Sequence, residues 1–225
     1  MNRFAFVAIT AATLLAASAA SATVVADFQL NGSTANGAAG GVTLTDNSGG
    51  GLGATGITFG ADAGPTLENL GAISVYTLEI NATLDAVNGY RKIADFSGRT
   101  SDNGFYILDG DINFYNFAFG PGGVVSAGSP FTFTLTRTAA GLVTGFVDGV
   151  SQFSFVDSGG DAVINGSLHL FQDDFAVPGE ASSGFIDYVT LDTGTVPEPA
   201  AWALMILGFG AAGARLRSRR TTSAV

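Results

Sequence analysis

The fold is decided by YTLEINATL, residues 76–84, in which apolar and polar residues alternate without a break. A period of two places the apolar side chains on one face of a β-strand and the polar side chains on the other. The stretch therefore predicts a long strand with one buried face. The residues assigned to that face are Tyr76, Leu78, Ile80, Ala82 and Leu84.

Two further stretches, FTFTLTRT (131–138) and SQFSFVD (151–157), show the same alternation. Asx-Gly pairs recur between the apolar segments, and such pairs supply the positive φ that a tight hairpin needs. Asp109-Gly110 and Asp148-Gly149 are therefore predicted hairpin tips. The glycine-heavy segment 37–64 is predicted to be a long connection with one or two short strands.

The composition excludes several classes of site and partner. The 225 residues include 32 glycines and no cysteine, and the formal net charge is −10. Without cysteine there are no disulfides, thiolate zinc sites or cysteine nucleophiles. Because an acidic surface repels phosphate backbones, nucleic acid is excluded as a partner. The basic residues between the two termini are Arg91, Lys92, Arg99 and Arg137.

These patterns predict an all-β fold, a two-sheet sandwich over residues 23–195, flanked by an N-terminal signal helix and a C-terminal hydrophobic helix. The order of segments resembles the concanavalin A-like, laminin-G-like family, and this resemblance implies that the sandwich is a jelly roll. The stretches that show the resemblance are VVADFQLNGS (24–33), GFYILDGDINFY (104–115), LVTGFVDGVSQFSF (142–155) and GFIDYVTLD (184–192). The resemblance implies a lectin-like body and leaves the ligand open.

The N-terminus has the organisation of a secretory signal peptide over residues 1–22. A basic start is followed by an apolar stretch and by Ala20-Ser21-Ala22, an A-x-A cleavage site. Cleavage by signal peptidase would leave Thr23 as the first residue. The alternative is a buried N-terminal helix, for which the small-residue ending has no purpose.

The C-terminus, residues 196–220, combines Pro197-Glu198-Pro199, an uncharged run and an arginine cluster. As a helix, the run from Ala200 to Ala214 would be about 22 Å long. That is short against a hydrocarbon layer of about 30 Å, so we expect a marginal, temporary membrane span. The alternative is a packed helix with a solvated basic end. The residues assigned to the membrane tail are Trp202, Gly208, Gly210, Arg215, Arg217, Arg219 and Arg220.

This tail resembles the PEP-CTERM protein-sorting signal, in the subtype VPEPxxWAxMxxGFGxxG that is also catalogued as an ice-binding-protein C-terminal domain. The resemblance implies export by a Gram-negative bacterium, transient anchoring in the inner membrane, and recognition by an exosortase. Pro197, Glu198 and Pro199 are then the substrate of that enzyme and no part of an active site. Proteins with this signal often accompany exopolysaccharide production. Ice binding needs a regular threonine array, which FTFTLTRT alone is too short to provide.

No catalytic constellation stands out in the sequence. Glucanases with this fold carry three acids close together on one strand, and that pattern is absent here. The lone His169 lies between two leucines without an acid or nucleophile nearby, and is expected to be a surface or groove residue. The prediction is a protein that is not an enzyme.

Asp173, Asp174 and Glu180 are the candidate metal ligands, because carboxylates in a loop can bind a hard cation such as Ca²⁺. Ca²⁺ is the one cofactor that the sequence suggests. The pattern favours the alternative, an acidic loop in solvent. Asp109-x-Asp111-x-Asn113 imitates half of an EF-hand loop but lacks its glycine and final glutamate, so it is interpreted as a hairpin turn.

Tyr106 and Tyr115 are the candidate glycan-stacking residues, since they stand in an aromatic hairpin with asparagines between them. On a strand half of these side chains must face the core, so packing is the alternative reading.

The predicted function is that of an exported surface or extracellular-matrix protein with a non-catalytic, lectin-like domain for glycan or exopolysaccharide binding or adhesion. Two alternatives stay open, a purely structural biofilm-matrix protein and a glycan hydrolase. The predicted partners are signal peptidase, an exosortase, the inner membrane for a time, and a polysaccharide.

Overall fold

The computed structural model describes residues 22–194. The two predicted terminal helices, Ala20 of the cleavage site, and all residues of the sorting motif and membrane tail lie outside the described residues. Within residues 22–194 the chain has no helix long and apolar enough to cross a membrane.

The described residues form only strands, turns and loops. In chain order the strands are β1 (Thr23–Phe28), β2 (Thr43–Thr45), β3 (Ile57–Phe59), β4 (Thr66–Glu68), β5 (Ala72–Ile73), β6 (Tyr76–Leu84), β7 (Tyr90–Asp95), β8 (Gly104–Leu108), β9 (Asp111–Phe114), β10 (Ala118–Phe119), β11 (Pro130–Arg137), β12 (Leu142–Val147), β13 (Val150–Val156), β14 (Ile164–Asn165), β15 (Leu168–Leu170) and β16 (Gly184–Thr193).

These strands build two antiparallel sheets of seven strands each, with β5 and β14 as a small separate pair. The first sheet has the order β1-β16-β6-β11-β12-β13, and β3 also pairs with β16. The second sheet has the order β10-β9-β8-β7-β15-β4-β2. The predicted all-β two-sheet sandwich is thereby confirmed, and the glycine-heavy segment 37–64 contains the two short strands β2 and β3.

The core lies between the sheets and is built by the alternation that the sequence displays. Along β6 every second residue, from Tyr76 to Leu84, is buried. Leu78 and Ile80 stand opposite Leu135 and Phe133 of β11, so the apolar faces of neighbouring strands are continuous. Aromatic rings also pack across the two sheets. The ring centroids of Phe105 and Phe153 are 6.1 Å apart, and those of Phe114 and Phe155 are 5.1 Å apart.

Both predicted hairpin tips are confirmed. Asp109 and Gly110 have φ angles of 51° and 90° and join β8 to β9. Asp148 and Gly149 have φ angles of 49° and 77° and join β12 to β13. Positive φ at both central residues gives the turn a twist that matches the flanking strands.

Candidate functional site

The candidate site lies on the side of the second sheet that faces away from the core. Lys92 of β7 and Tyr106 of β8 are paired in register there, and Asn113 of β9 is paired with Tyr106 in turn. The 171–183 loop, which connects β15 to β16, lies over β7. Its Glu180 carbonyl accepts a hydrogen bond from the N–H of Lys92 at 2.9 Å, and its Ser182 hydroxyl donates to the carbonyl of Lys92 at 3.0 Å.

Lys92 is the centre of the site, with none of its surface exposed. Its ammonium group contacts Asp174 directly and lies 3.2 Å from Oδ2 of Asp95. The same nitrogen is 4.8 Å from the ring centroid of Tyr106, a cation–π distance. A Cβ on Gly104 would lie 3.4 Å from Cε of Lys92 and 2.9 Å from a backbone carbonyl, so glycine leaves the room that the lysine occupies.

Asp174 has both carboxylate oxygens engaged. Oδ1 accepts the N–H groups of Ala176 and Val177 at 2.7 and 2.8 Å. Oδ2 accepts the Lys92 ammonium and, at 3.1 Å, the hydroxyl of Tyr106. Although burial opposes it, hydrogen bonds from Lys92 and Val177 hold the pKa of Asp174 below its usual value.

Asp173 closes the loop on itself. Its Oδ2 accepts the N–H groups of Gly179 and Glu180 at 2.7 and 2.8 Å, and its Oδ1 accepts the N–H of Asp174 at 3.0 Å. Asp173 and Asp174 are only 5% and 2% exposed, so the expectation of an acidic loop in solvent is wrong. The loop is held by these internal bonds, which short-range sequence patterns do not reveal.

Glu180 is the carboxyl group with the most unusual surroundings in the described chain. Burial, helped by the charges of Asp102 and Asp173, raises its pKa to about 7. Its Oε2 is buried without a hydrogen-bond partner among the described residues. Carboxylate oxygens of Asp102, Asp174 and Glu180 lie within 4.8 Å of one another. The structure thus brings together two of the three predicted metal ligands, adds Asp102, and assigns Asp173 to backbone bonds.

A cation at this cluster would compete with donors that are already present. All four hydrogen bonds that Asp174 accepts come from the protein itself. The Lys92 ammonium already supplies positive charge to the same oxygen. Calcium at Asp174 and Glu180 therefore stays a prediction, and it would require one of these donors to move.

The two tyrosines predicted to stack on a glycan occupy different environments. Tyr106 is fully buried, so its ring offers no face to a sugar in this structure. Tyr115 is half-buried, with its ring 6.0 Å from that of Tyr106 and 5.3 Å from that of Tyr90. Asn113 beside them is fully buried, and neither atom of its amide has a hydrogen-bond partner among the described residues.

An aromatic residue that the sequence analysis missed is the most exposed one near the site. Phe175, on the 171–183 loop, is 73% exposed. The guanidinium carbon of Arg99 lies 4.4 Å from its ring centroid, and the N–H of Phe175 donates to the carbonyl of Arg99 at 2.9 Å. Phe175 stands in an irregular acidic segment and belongs to no periodic pattern. The only feature of the sequence that could have indicated its exposure is its place in a loop with Pro178 and Gly179.

Arg99 is itself firmly held beneath that ring. Its guanidinium donates to Asp62 at 2.6 Å and to Gln172 at 3.2 Å, and its Nε donates to the carbonyl of Asp173. A cleft of about 520 Å³ adjoins the ring. The lining residues are Ala61, Asp62, Arg91, Arg99, Asp173, Asp174, Phe175, Pro178, Gly179 and Ala181.

His169 is half-buried on β15, away from this cleft lining. Its ring nitrogens lie 3.3 Å from the hydroxyl of Thr66 and 3.4 Å from that of Ser167. Burial lowers its pKa, although the charge of Asp95 opposes the shift. Hydroxyl groups are therefore its hydrogen-bond neighbours, and the surface or groove position expected from the sequence stays a prediction.

Comparison with known proteins separates the tail from the body. Residues 195–220 match the PEP-CTERM protein-sorting motif. No curated protein matches the chain. The comparisons identify no catalytic family for it.

The body is similar to solved domains in fold alone. Domain 4 of AbnA, an extracellular GH43 arabinanase from Geobacillus stearothermophilus solved with arabinotriose, is 14% identical with a TM-score of 0.51 over 80% of this chain and 97% of that one. A mutant of HCR/D is 10% identical with a TM-score of 0.53, over 80% and 50% of the two chains. A CBM40 domain of a Ruminococcus gnavus IT-sialidase is 12% identical with a TM-score of 0.47, over 66% of this chain and 95% of that one.

Proposed function

We propose that this chain, which carries a PEP-CTERM protein-sorting motif over residues 195–220, is an exported surface or matrix protein whose sandwich binds a glycan without catalysis. Residues 1–22 direct export from the cytoplasm of a Gram-negative bacterium and are removed by signal peptidase. The tail holds the protein in the inner membrane until an exosortase acts near Pro197-Glu198-Pro199. The body then remains at the cell surface or in the extracellular matrix.

The observation that carries the binding proposal is the exposed ring of Phe175 fixed above Arg99. Sugars present C–H groups with partial positive charge, which pack on the negatively charged face of an aromatic ring. The Arg99 guanidinium contacts the ring and is tied down by Asp62 and Gln172. A ring fixed before the ligand arrives loses little conformational entropy on binding.

The cleft beside Phe175 supplies groups that can orient hydroxyls. The carboxylate of Asp62 can accept hydrogen bonds from sugar hydroxyls, and Arg91 and Arg99 can donate hydrogen bonds to them. Pro178 and Ala181 form apolar walls. A few polar groups among apolar walls are typical of small-molecule sites. The likeness in fold to an arabinanase domain solved with arabinotriose supports a glycan as the ligand.

A hydrolase is the second candidate, favoured by Glu180 alone. Its pKa of about 7 suits a general acid, and carboxylates of Asp102 and Asp174 lie nearby. Retaining glycosidases place two carboxyl groups about 5 Å apart on either side of the scissile bond. Here Asp174 is buried with both oxygens engaged and Lys92 against it, which leaves no place for that bond. Binding is the better supported function.

A polysaccharide retention assay tests the proposal. The purified chain is mixed with neutral and acidic polysaccharides, including the exopolysaccharide of its own host, and the bound fraction is measured together with reducing-sugar release. We expect retention by at least one polysaccharide and no release of reducing ends. Release that Glu180→Gln abolishes would favour the hydrolase. No retention by any polysaccharide would favour a purely structural matrix role.

The sorting proposal has a separate test. In the native host, changing Pro197, Glu198 and Pro199 to alanine should leave the C-terminal tail attached and the protein in the inner membrane. The measurement is the C-terminal mass and the membrane fraction of the variant against the unchanged chain. Equal processing of both proteins would contradict exosortase recognition at this motif.

A further inference from the structure

The contact between Lys92 and Asp174 joins two distant parts of the chain inside a closed environment. The residues are 82 positions apart, one on β7 and one on the 171–183 loop. Both side chains are fully shielded from solvent. A nucleophilic amine is therefore held against a carboxyl group where water cannot compete, and intramolecular placement of this kind replaces a very high concentration of reactant.

The surroundings of Asp174 suit attack on its carboxyl carbon. Its Oδ1 lies between the N–H groups of Ala176 and Val177, at 2.7 and 2.8 Å. Two such donors stabilise the negative charge that develops on a carbonyl oxygen when a nucleophile adds to the carbon. The other oxygen, Oδ2, accepts the hydroxyl of Tyr106 at 3.1 Å, and this hydroxyl can assist its departure.

Asp95 is placed to take a proton from the amine. Its Oδ2 lies 3.2 Å from Nζ of Lys92, while its Oδ1 is fixed by the N–H groups of Ser97 and Arg99 at 3.0 and 2.7 Å. A fixed carboxylate within hydrogen-bond distance is the geometry of a general base. The base, the nucleophile, the electrophile and the oxyanion donors are thus present together.

We infer that Lys92 and Asp174 form an intramolecular isopeptide bond, which makes the pair a self-modification site. One proton passes from the ammonium to Oδ2 of Asp174 across their contact, which leaves a neutral amine beside a neutral carboxyl group. Nζ then attacks Cγ of Asp174 as Oδ1 takes the negative charge, and Asp95 accepts the second proton from the nitrogen and returns it to Oδ2. The C–Oδ2 bond breaks, and Oδ2 leaves as water with two protons that came from the lysine ammonium. An ammonium and a carboxylate become one amide and one water, so no oxidant, metal or co-reactant is needed.

The bond would fasten the 171–183 loop, and with it Phe175, to the second sheet. A chain without cysteine cannot use disulfides for this purpose, and a cross-link across 82 positions constrains the unfolded chain in the same way. The inference is independent of the proposed glycan binding, because the bond can form whether or not Phe175 contacts a sugar.

Mass spectrometry of the purified full chain tests the bond directly. We expect an intact mass lower by one water molecule than that of the same termini without a link. Trypsin applied to the denatured chain should cleave after Arg91 but not after Lys92, and should yield a branched peptide that joins β7 to the 171–183 loop. A full mass together with cleavage after Lys92 would overturn the inference.

Three variants identify the groups involved. Lys92→Arg should keep the full mass, because a guanidinium is a poor nucleophile. Asp174→Asn should form the same amide by releasing ammonia, and so reach the same final mass as the linked natural chain. Asp95→Asn should slow the loss of water. If a variant fails to fold, the digest of the natural chain still decides.

The protein contains its own control for this digest. Arg137 and Asp157 form a second buried ion pair, with Nε of the arginine 2.8 Å from Oδ2 of the aspartate. An arginine in that pair cannot form the amide, so trypsin should cleave after Arg137 in the same sample. Failure to cleave there would show that the digest, and not a bond at Lys92, blocks the enzyme, and the inference would then lose its digest support and depend on the intact mass.

Discussion

The faces of the two sheets that point away from the core differ in how deeply their polar side chains are buried. On β6 of the first sheet, Thr77, Glu79 and Asn81 are polar and only partly buried. On β7 and β8 of the second sheet, Lys92 and Tyr106 hold the corresponding position but are fully buried. The 171–183 loop makes the difference, because it lies over β7 and places Asp174 against Lys92.

A covered polar face is costly unless its groups are paired with one another. Removing an ammonium and a carboxylate from water costs several kcal/mol for each ion, which their contact and further hydrogen bonds must offset. The second sheet meets this demand through Lys92, Asp95 and Asp174, and the loop so anchored presents Phe175 to solvent. The core-distant face of the first sheet has no buried ion pair among the described residues, because Arg137 of β11, which pairs with Asp157, lies on the core side with Leu135. Within the same residues that face presents no exposed aromatic ring over a cleft. The second sheet is therefore the face on which we propose that a glycan binds.

The largest expected difference between the two faces is in the stability lost when one charged side chain is removed from each. Asp174→Ala leaves the Lys92 ammonium buried with one partner fewer, whether the natural chain holds the ion pair or the amide, and breaking a buried pair typically costs about 3–5 kcal/mol. Glu79→Ala removes an accessible carboxylate that accepts one bond from Tyr188, and should cost about 1 kcal/mol. Urea unfolding of both variants measures the two losses. Equal losses would mean that the covered face is energetically ordinary.

A methyl group probes how tightly the lysine is packed. Gly104→Ala would place a Cβ 2.9 Å from the carbonyl of Ala94 and 3.4 Å from Cε of Lys92. Such overpacking should lower the free energy of unfolding by about 1–3 kcal/mol. Gly41→Ala is the matched control, because its Cβ meets nothing within 4 Å, and thermal unfolding should shift little. A tolerated Gly104→Ala would show that β7 and β8 can move apart.

The covered face should also respond to pH in a defined direction. The pKa of Glu180 is raised from 4.5 to about 7, so the folded chain binds its proton more tightly than the unfolded chain does. This contribution to stability is complete below about pH 4.5 and is lost as the pH rises through about 7. Unfolding followed from pH 5 to 8 should show this decline, and Glu180→Gln should flatten it. An unchanged slope in the variant would place the titrating group elsewhere.

The smallest expected effect is that of calcium. Because Asp174 already accepts four hydrogen bonds from the protein, adding Ca²⁺ or a chelator should leave the thermal midpoint unchanged. A rise in the midpoint with Ca²⁺ that Glu180→Gln removes would show that a cation does displace one of these donors, and would support the calcium site suggested by the sequence.

The sequence was informative where one face of a strand meets water. Alternation in β6 predicted its bounds and its buried side chains, and the Asx-Gly pairs at 109–110 and 148–149 predicted the turns. It placed β8 before the Asp109-Gly110 hairpin but could not assign faces to β7 and β8, since strands buried on both sides show no alternation. Strands of two or three residues, such as β5 and β14, carry too little pattern to be recognised.

The candidate site was predictable only in part. Asp173, Asp174 and Glu180 attracted attention as an acidic loop, yet the role of Asp174 depends on Lys92, 82 positions earlier by residue number. No local pattern connects a lysine on one strand with a loop so far away. Phe175 was missed for the same reason, because Arg99, which fixes its ring, comes from another part of the chain.

The central claim is that the protein binds a glycan at Phe175, on the loop that covers the second sheet. The affinities of two variants test it most directly. Phe175→Ala and Phe119→Ala each remove an exposed ring, 73% and 55% exposed, and only the first lies at the cleft. Against the retained polysaccharide we expect the first to weaken binding about tenfold or more, equal to about 1.4 kcal/mol, and the second to bind like the natural chain. Equal affinities for the two variants would contradict the account.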